Sequence, residues 1–253
     1  MNLVLQQVSN IPIIQPGDDL GGIISASLKE NEIQIRDNDI LVVTQKIVSK
    51  SEGRFVNIVA ETPSSEALRM AAICEKDPRL VEVILRESKE VVRCKKDTLI
   101  VEHRLGFICA NAGVDHSNVK ENSDGIWYLL LPEDPDRSAR AIRDYFANHE
   151  GVNIGVMIID SHGRAWRQGV VGVMIGTAGV PVLVDMRGKA DLFGYDLRIT
   201  QIGAADELAA AASLMMGQAD ERVPVVLVRG FPYPLAESRL VEVLRPKDKD
   251  FFR

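Results

Sequence analysis

The stretch that organises the fold is residues 106–118, which read GFICANAGVDHSN. It begins with apolar residues, passes through small residues, and ends with the polar side chains of Asp115, Ser117 and Asn118. This order predicts a buried strand that ends in a polar loop. A loop of this kind is a candidate for function, because binding and catalytic residues concentrate on loops that a rigid scaffold holds in place.

A second stretch, residues 155–164, repeats this order in the letters GVMIIDSHGR. Its apolar run meets polar side chains at Asp160 and Ser161, which predicts a second strand end rich in oxygen atoms. Ligands of open α/β sheets bind in the crevice outside the carboxyl ends of strands. We therefore interpret the two stretches as parts of one site.

The fold class follows from the remaining segments, in which short apolar runs mix with helical patterns without a strict alternation of strand and helix. We expect an α+β fold, or an irregular mixed α/β fold, with mixed sheets and flanking helices. No G-x-G-x-x-G or G-x-x-x-x-G-K-[ST] motif occurs, so neither a Rossmann fold nor a P-loop is expected. The length of 253 residues fits a single catalytic unit, with two interlocked subdomains as an alternative.

The boundaries of elements are predicted from periodicity, capping residues and turn residues. We expect helices at about residues 19–30, 64–74, 77–88 and 205–216, and another that ends near residue 150. We expect strands at about residues 2–8, 40–43, 91–94, 98–101, 127–131, 182–185 and 223–228. The glycine-rich segment 169–179 predicts close backbone packing, and the charged tail from residue 240 is expected to be peripheral.

Composition restricts the partners of the protein. The net charge of −6 argues against nonspecific nucleic-acid binding, which needs a basic face. No run of about 18 apolar residues and no signal-peptide pattern occurs, so we expect a cytoplasmic protein without a membrane partner.

The segment after the strand at residues 40–43 is basic, with Lys46, Lys50 and Arg54 spaced by four residues. A helix would place all three cations on one face. A solvated basic stripe is one interpretation, but the position after a buried strand, with serine and glycine interleaved, favours phosphate binding.

The three cysteines, Cys74, Cys94 and Cys109, form no C-x-x-C pair, which argues against a zinc knuckle and a disulfide framework. We expect buried thiols. Cys109 lies inside the organising stretch and is an alternative nucleophile, although the sequence places no histidine as its base.

The polar residues near the strand ends share one chemical property. They are Asp115, Asn118, Asp160, Ser161 and, more distant in the chain, Gln218. All of them offer hard oxygen atoms, which suit Mg²⁺ or Mn²⁺ rather than zinc. Together with the lysines they indicate a site that handles a nucleoside triphosphate.

Five motifs together resemble the coenzyme F420-0:L-glutamate ligase family, also called F420 gamma-glutamyl ligases. The motifs are IPII-x-PGDD at residues 11–19, VVTQKIVSK-x-EGR at 42–54, NAGVD-x-SN at 111–118, DS-x-GR at 160–164 and ADELAA at 205–210. They occur in the order of the family, and the resemblance extends from Ile11 to Arg229. It implies a family-specific ligase fold.

The resemblance implies a GTP-dependent acid–amino-acid ligase. The terminal carboxylate of the deazaflavin precursor F420-0 would take the γ-phosphoryl group of GTP, and the amine of L-glutamate would attack the resulting acyl phosphate. Further γ-linked glutamates are added by many members. The implied cofactors are GTP as co-substrate and Mg²⁺ or Mn²⁺ at two sites, with K⁺ as a further candidate ion.

The resemblance also assigns residues. It implies that Asp115 and Asp160 hold the first metal, that Ser161 and Gln218 lie at the second, and that Asp115, Asp160 and Lys50 act in catalysis. The implied contacts of GTP are Ile11, Pro12, Ile13, Ile14, Gln45, Lys46, Lys50, Asn118, Met216, Gly217, Gln218, Ala219, Asp220, Glu221, Arg222 and Val223. An acidic residue can replace Gln218 in relatives, and a neutral amide is a weaker metal ligand.

The family further implies a homodimer with sites near the subunit boundary. Some bacterial relatives carry a nitroreductase-like domain after the ligase unit, which we do not expect in this chain. Two alternatives stay open: a ligase of the same chemistry that uses another carboxylate acceptor, and a non-catalytic regulator that binds nucleotide or metal.

Overall fold

The protein was analysed as a computed structural model that describes residues 2–119 and 125–251. Its strands are β1 Val4–Val8, β2 Ile40–Thr44, β3 Phe55–Asn57, β4 Ser88–Lys95, β5 Thr98–His103, β6 Ile108–Ala110, β7 Trp127–Leu129, β8 Gly155–Arg164, β9 Arg167–Ala178, β10 Val184–Asp185, β11 Gln201–Ile202 and β12 Val225–Arg229. Its helices are α1 Leu20–Glu30, α2 Gln45–Ser51, α3 Ser65–Cys74, α4 Pro78–Arg86, α5 Pro135–His149 and α6 Ala204–Met216. Short 3₁₀ turns cover Ile58–Ala60, Asn111–Gly113, Leu240–Glu242 and Lys247–Lys249.

The central sheet has five strands in the order β1-β12-β2-β8-β9. Strands β2 and β8 are parallel, whereas the other neighbours in this sheet are antiparallel. The apolar sequence of β2, ILVVT, is buried in its first four residues, as expected of a strand covered on both faces. The carboxyl ends of β2 and β8 therefore point to the same edge of the sheet.

Helices α6 and α5 approach strand β9 closely from opposite faces of this sheet. These approaches explain why glycine occurs at Gly172 and Gly176. A methyl group added at Gly172 would lie 2.5 Å from the carbonyl oxygen of Ala209 on α6. One added at Gly176 would lie 2.4 Å from the Cβ of Pro135 on α5. Only glycine permits these distances, so the predicted close backbone packing is confirmed at Gly172 and Gly176, whereas a methyl group at Gly169 would meet no atom within 4 Å.

A second cluster of buried apolar side chains lies between Ile58 and Leu130. Its side chains come mainly from α3, α4 and β5, the middle strand of the three-stranded sheet β4-β5-β6, and Val91 and Cys94 of β4 pack against them. The predicted start signals of its helices are confirmed: the Ser64 hydroxyl accepts a hydrogen bond from the backbone NH of Ala67, and the Asp77 carboxylate accepts one from that of Arg79. The helix predicted to reach residue 88 ends at Arg86, because Ser88 already pairs with His103 in β4 and β5.

The expectation of mixed sheets with flanking helices is confirmed. Within the described residues, no helix has the length and apolar character needed to span a bilayer.

Three local predictions are wrong. The first is the strand end at Asp160, because β8 continues to Arg164 and forms a hairpin with β9. Beyond Ile159 the neighbouring strand β2 has ended, so residues 160–171 form an arm that extends past the sheet. The polar residues after Ile159 mark the point where the hairpin leaves β2, not the end of the strand.

The second wrong prediction is the shared face of three cations. Helix α2 ends at Ser51, and Gly53 adopts a left-handed conformation with φ of 67°, which turns the chain away. Arg54 therefore leaves the lysines and donates hydrogen bonds to the carbonyl of Leu131 at 2.9 Å and to the carboxylate of Glu87 at 2.8 Å.

The third wrong prediction is that the charged tail from residue 240 is peripheral. Leu240 is buried in the main core, and Val243 and Leu244 pack against that core. Charged residues surround these three apolar residues in the sequence, so the pattern did not predict their position in the core.

Candidate functional site

The candidate site is built around α2, which begins directly after β2. Its residues Lys46 and Lys50 lie one turn apart and face the loop at residues 115–118. The Lys46 ammonium lies 2.7 Å from the Asp115 carboxylate, and the Lys50 ammonium donates a hydrogen bond of 2.8 Å to the carbonyl of Asn118. The structure thus brings together one predicted metal ligand and three of the predicted nucleotide contacts.

The Asp115 side chain is held by its own loop. The backbone NH of Ser117 donates to one carboxylate oxygen at 2.9 Å, and the Ser117 hydroxyl donates to the other at 2.5 Å. Burial acts to raise the pKa of Asp115, but the hydrogen bonds from Lys46 and Ser117 outweigh it, and the pKa lies below its ordinary value. The carboxylate is therefore ionised and oriented.

The loop that carries Asp115 has an unusual backbone. Asn111 and Ala112 have φ angles of 52°, and Asn118 has φ of 58°, a region that residues other than glycine rarely adopt. Backbone pairing of Asp115 with Leu129 anchors the loop between these points, with N to O distances of 3.0 and 2.8 Å. Strain of this kind persists where the surroundings enforce one geometry, and it is frequent at functional sites.

Lys50 is half-buried beside a second cation. Burial, followed by repulsion from Lys46, lowers the pKa of Lys50. An anionic ligand between the two ammonium groups would relieve this repulsion, which suits a phosphate group.

Asp160 lies just past the carboxyl end of β2, because Thr44 pairs with the preceding residue, Ile159. Its carboxylate accepts a hydrogen bond from Nε2 of His162 at 3.0 Å. Burial, with a further contribution from the nearby Asp160 charge, raises the pKa of the Cys109 thiol to about 12. Cys109 is therefore a buried thiol and a poor nucleophile, which argues against the alternative role for it.

Ser161 faces the opposite side of β8 from Asp160, because side chains alternate along a strand. It pairs with Gly172, which packs against Ser213 of α6. The Ser213 hydroxyl accepts a hydrogen bond of 3.1 Å from the side-chain amide of Gln218. Ser161 and Gln218 thus both lie near Ser213 of α6, whereas the side chain of Asp160 points to the opposite face of β8.

The predicted nucleotide turn at Met216–Val223 follows α6. Gly217 has φ of 75°, and the exposed residues are Gln218, Ala219, Asp220, Glu221 and Arg222. The next residue, Pro224, accepts a hydrogen bond of 2.9 Å from the backbone NH of Thr44. This bond joins the turn to the start of α2.

The predicted nucleotide loop at residues 11–14 adjoins the other end of α2. The backbone NH of Gly17 donates to the carbonyl of Ser51 at 2.8 Å. Ile14 is buried in the core, whereas Ile13 is 82% exposed and available for contact. Gln45 is buried, and its side-chain oxygen accepts a hydrogen bond from Ser49 within the helix.

The donor set fits a hard divalent cation. Within residues 2–119 and 125–251, no group of three His, Cys, Asp or Glu side chains forms a metal site. A metal at Asp115 or Asp160 would thus also need hydroxyl, amide, water or phosphate oxygens. Mg²⁺ is commonly bound in this way, by one or two carboxylates together with substrate phosphates.

Sequence reasoning missed two contacts of this site, those of Ser117 and His162. The signal for Ser117 is the D-x-S spacing, which allows a serine to bond the carboxylate two residues before it. The signal for His162 is the D-x-H spacing in a strand, which places both side chains on one face.

A cleft of about 600 Å³ lies on the other side of α2 from Lys46 and Lys50. Its walls include Asp18, Asp19, Glu52, Arg54 and Arg137. The Glu52 carboxylate already accepts hydrogen bonds from the hydroxyl of Ser138 and the backbone NH of Glu133.

Comparison with known proteins identifies the family. The profile of the F420-0:gamma-glutamyl ligase family matches residues 9–230. The coenzyme F420:L-glutamate ligase of Methanothermobacter thermautotrophicus is 44% identical over 255 aligned positions, which cover 100% of both chains. The enzymes of the same name from Methanocaldococcus jannaschii and Archaeoglobus fulgidus are 41% and 38% identical, and the alignments cover 96% and 100% of this chain and 94% and 97% of theirs. The chain therefore belongs to the F420-0:gamma-glutamyl ligase family.

Proposed function

We propose that this protein joins L-glutamate to F420-0 through an amide bond at the expense of GTP. The observation that carries the proposal is the pairing of Lys46 and Lys50 with the Asp115 loop at the start of α2. This pairing combines cations for a triphosphate with a carboxylate for its metal, in a chain that matches the ligase family over residues 9–230.

The chemical problem is that a carboxylate is a poor electrophile. In the proposed reaction a carboxylate oxygen of F420-0 attacks the γ-phosphorus of GTP, and GDP leaves with the bridging oxygen. The glutamate nitrogen then attacks the carbonyl carbon of the acyl phosphate and loses a proton, while inorganic phosphate departs. The product is an amide, and further γ-linked additions would repeat the same steps.

The proposed roles follow from charge and position. Lys46 and Lys50 hold phosphate oxygens, and Lys50 acts in catalysis by stabilising charge on the transferring phosphoryl group. Asp115 and Asp160 hold one divalent cation, and Ser161 and Gln218 hold a second. Mg²⁺ or Mn²⁺ would supply charge neutralisation of the triphosphate. K⁺ is a further candidate ion of the proposal.

The nucleotide would extend along α2. Gly17, which follows the loop of Ile11, Pro12, Ile13 and Ile14, bonds to one end of α2, and Pro224, which follows the turn from Met216 to Val223, bonds to the residue before its other end. Both connections support a nucleotide that contacts both segments, together with Asn118. Exposed main-chain groups of such segments commonly bind phosphate or base.

We further propose a homodimer. Several large apolar side chains are almost fully exposed, among them Trp166 at the tip of the arm and Leu192, Phe193 and Ile199 in the loop between β10 and β11. Four such side chains on these two segments support an interface there, although Leu214 and Phe251 are similarly exposed elsewhere.

The test of the activity is a mass measurement. Purified protein with GTP, Mn²⁺, L-glutamate and F420-0 should give a product heavier by one glutamyl residue, and omission of GTP should abolish it. Substitution Asp160→Asn should abolish ligation with the fold intact, because a carboxylate charge at the metal is lost.

The same assay separates the alternatives. GTP binding without any mass shift would support a non-catalytic regulator. A mass shift that appears only with a different carboxylate acceptor would support a ligase of another specificity. Ligation at a normal rate by the Asp160→Asn variant would remove Asp160 from the site.

A further inference from the structure

His162 makes a specific contact with the proposed metal ligand Asp160. Its Nε2 lies 3.0 Å from Oδ2 of Asp160, and the two side chains are only 11% and 15% exposed. Both residues lie on the same face of β8, because side chains two positions apart point to the same side of a strand. The hydrogen bond is therefore built into the register of the strand.

The imidazole ring of His162 packs against one aromatic side chain and borders a cavity. The ring centroid lies 5.1 Å from that of Phe107, which stacks on His103 at 5.2 Å with an interplanar angle of 6°. His162, Phe107, Val173 and Asp206 also line a small cavity of about 170 Å³. The contact with Phe107 and the hydrogen bond to Asp160 therefore fix the ring, with the cavity beside it and Nε2 directed at the carboxylate.

The carboxylate of Asp160 uses only one oxygen in this contact. Among the described residues, Oδ1 of Asp160 has no hydrogen-bond partner, whereas Oδ2 accepts the bond from His162. Carboxylates that bind metals are themselves held by hydrogen bonds, and loss of such a partner typically costs 10-fold to 100-fold in metal affinity or activity.

We infer that His162 is a positioning residue, which fixes the orientation of Asp160 so that its free oxygen is available to a divalent cation. The inference rests on the proposed function, because that function makes Asp160 a metal ligand. It assigns to His162 no contact with nucleotide, glutamate or F420-0.

Two substitutions separate the hydrogen bond from the packing. His162→Phe keeps a planar ring against Phe107 but removes the donor. His162→Gln keeps an NH donor at a similar distance from the backbone. A third variant, His149→Phe, is the matched control, because His149 also stacks on an aromatic ring, that of Tyr145 at 4.2 Å, on the exposed end of α5.

The measurement is Mn²⁺ affinity of the full chain, obtained from the electron paramagnetic resonance signal of free Mn²⁺ in a titration. We expect His162→Phe to weaken binding about 10-fold or more, and His162→Gln to restore most of the affinity. His149→Phe should equal the wild type. Thermal unfolding should be similar in all variants, so that a change of affinity is not a consequence of unfolding.

The outcomes distinguish this inference from the proposed function. If Asp160→Asn loses Mn²⁺ binding but His162→Phe binds as tightly as the wild type, the role of His162 is overturned and the proposed metal site stands. Equal losses in His162→Phe and His162→Gln would also overturn it, because the donor would then be irrelevant. If Asp160→Asn binds Mn²⁺ like the wild type, both the inference and the proposed metal ligand are overturned.

Discussion

At the scale of single residues, the site depends on how charges are compensated. Asp115 receives hydrogen bonds from Ser117 and an ion pair from Lys46, while Lys50 is half-buried with a cation as its neighbour. Around α2 and the Asp115 loop, one carboxylate thus faces two ammonium groups, and the positive charge is in excess. An anion is the ligand that this imbalance favours.

The lowered pKa of Asp115 predicts a dependence of stability on pH. Because its pKa in the folded state lies below the ordinary value of 3.8, the unfolded state binds its proton first as the pH falls. The stabilisation from this carboxylate is present above pH 3.8 and is lost as the pH falls through the folded pKa. We expect urea unfolding between pH 5 and pH 3 to show a smaller acid-induced loss of stability in Asp115→Asn than in the wild type.

Parallel pH profiles of the wild type and Asp115→Asn would contradict this account. Asp185 provides a comparison, because its pKa is lowered to about 2 mainly by hydrogen bonds from Arg187 and it lies outside the site. Asp185→Asn should reduce the acid dependence without changing Mn²⁺ binding.

At the scale of elements, α2 connects the predicted parts of the site. The loop before α1 bonds to its carboxyl-terminal end, the turn after α6 bonds to the residue before it, and the loop at residues 115–118 bonds to its lysines. A seven-residue helix has little stability of its own, so these contacts and the buried face hold it in place.

Removal of one lysine from α2 should weaken nucleotide binding. A hydrogen bond to a charged group contributes about 1.5–3 kcal/mol, so Lys50→Met should raise the dissociation constant for GTP about 10-fold to 100-fold. Lys29→Met is the matched control, since Lys29 lies on α1 and pairs with Glu150. Isothermal titration calorimetry gives both constants, and equal affinity of the two variants would exclude Lys50 from the phosphate site.

Strand β9 supplies a prediction about stability. Gly172→Ala would place a methyl group against the backbone of α6, and such overpacking costs about 1–3 kcal/mol of unfolding free energy. Gly163→Ala is the matched control, because a methyl group at Gly163 would meet no atom within 4 Å. Urea unfolding should separate the variants, and equal midpoints would contradict the close approach of α6 to β9.

Sequence patterns predicted the elements that carry their own local signals. Ser64 and Asp77 cap helices, an effect that depends on a few neighbouring residues, and the run of small residues around Gly172 and Gly176 indicated close packing without naming its partners. The extension of β8 to Arg164 was not predicted, because the polar sequence of the arm resembles that of a loop.

The site was predicted only in part, because its contacts join residues that are far apart in the sequence. The proximity of Lys46 to Asp115 depends on a contact between residues 69 positions apart, and no local pattern encodes it. The family motifs supplied both residues, but not the ion pair between them. The role of Arg54 was misjudged because a single glycine, Gly53, redirects the chain after α2.

At the scale of the whole molecule, two clusters of buried side chains meet near the site. The second cluster lies between residues 58 and 130 and provides the loop of Asp115, whereas the main cluster provides α2 and β8. Strand β6 and the 3₁₀ turn after it connect the two clusters, because Cys109 of β6 belongs to the main cluster and Ala112 of the turn belongs to the second. Relative movement of the two parts would therefore change the site.

The exposed apolar segments predict the assembly of the molecule. We expect sedimentation velocity to give the mass of a dimer at micromolar concentration. A variant with Leu192→Asp and Phe193→Asp should shift towards the monomer, because charges in an apolar interface are desolvated without partners. A control variant, Val59→Asp, alters a half-exposed residue outside these segments and should remain dimeric. A monomeric wild type would exclude the proposed dimer.

The most direct test of the central claim is a crystal of the protein with GDP and Mn²⁺, measured for the anomalous signal of manganese. We predict a peak within about 2.0–2.5 Å of carboxylate oxygens from both Asp115 and Asp160, with the phosphates beside Lys46 and Lys50. A bound nucleotide whose manganese contacts neither aspartate would contradict the account.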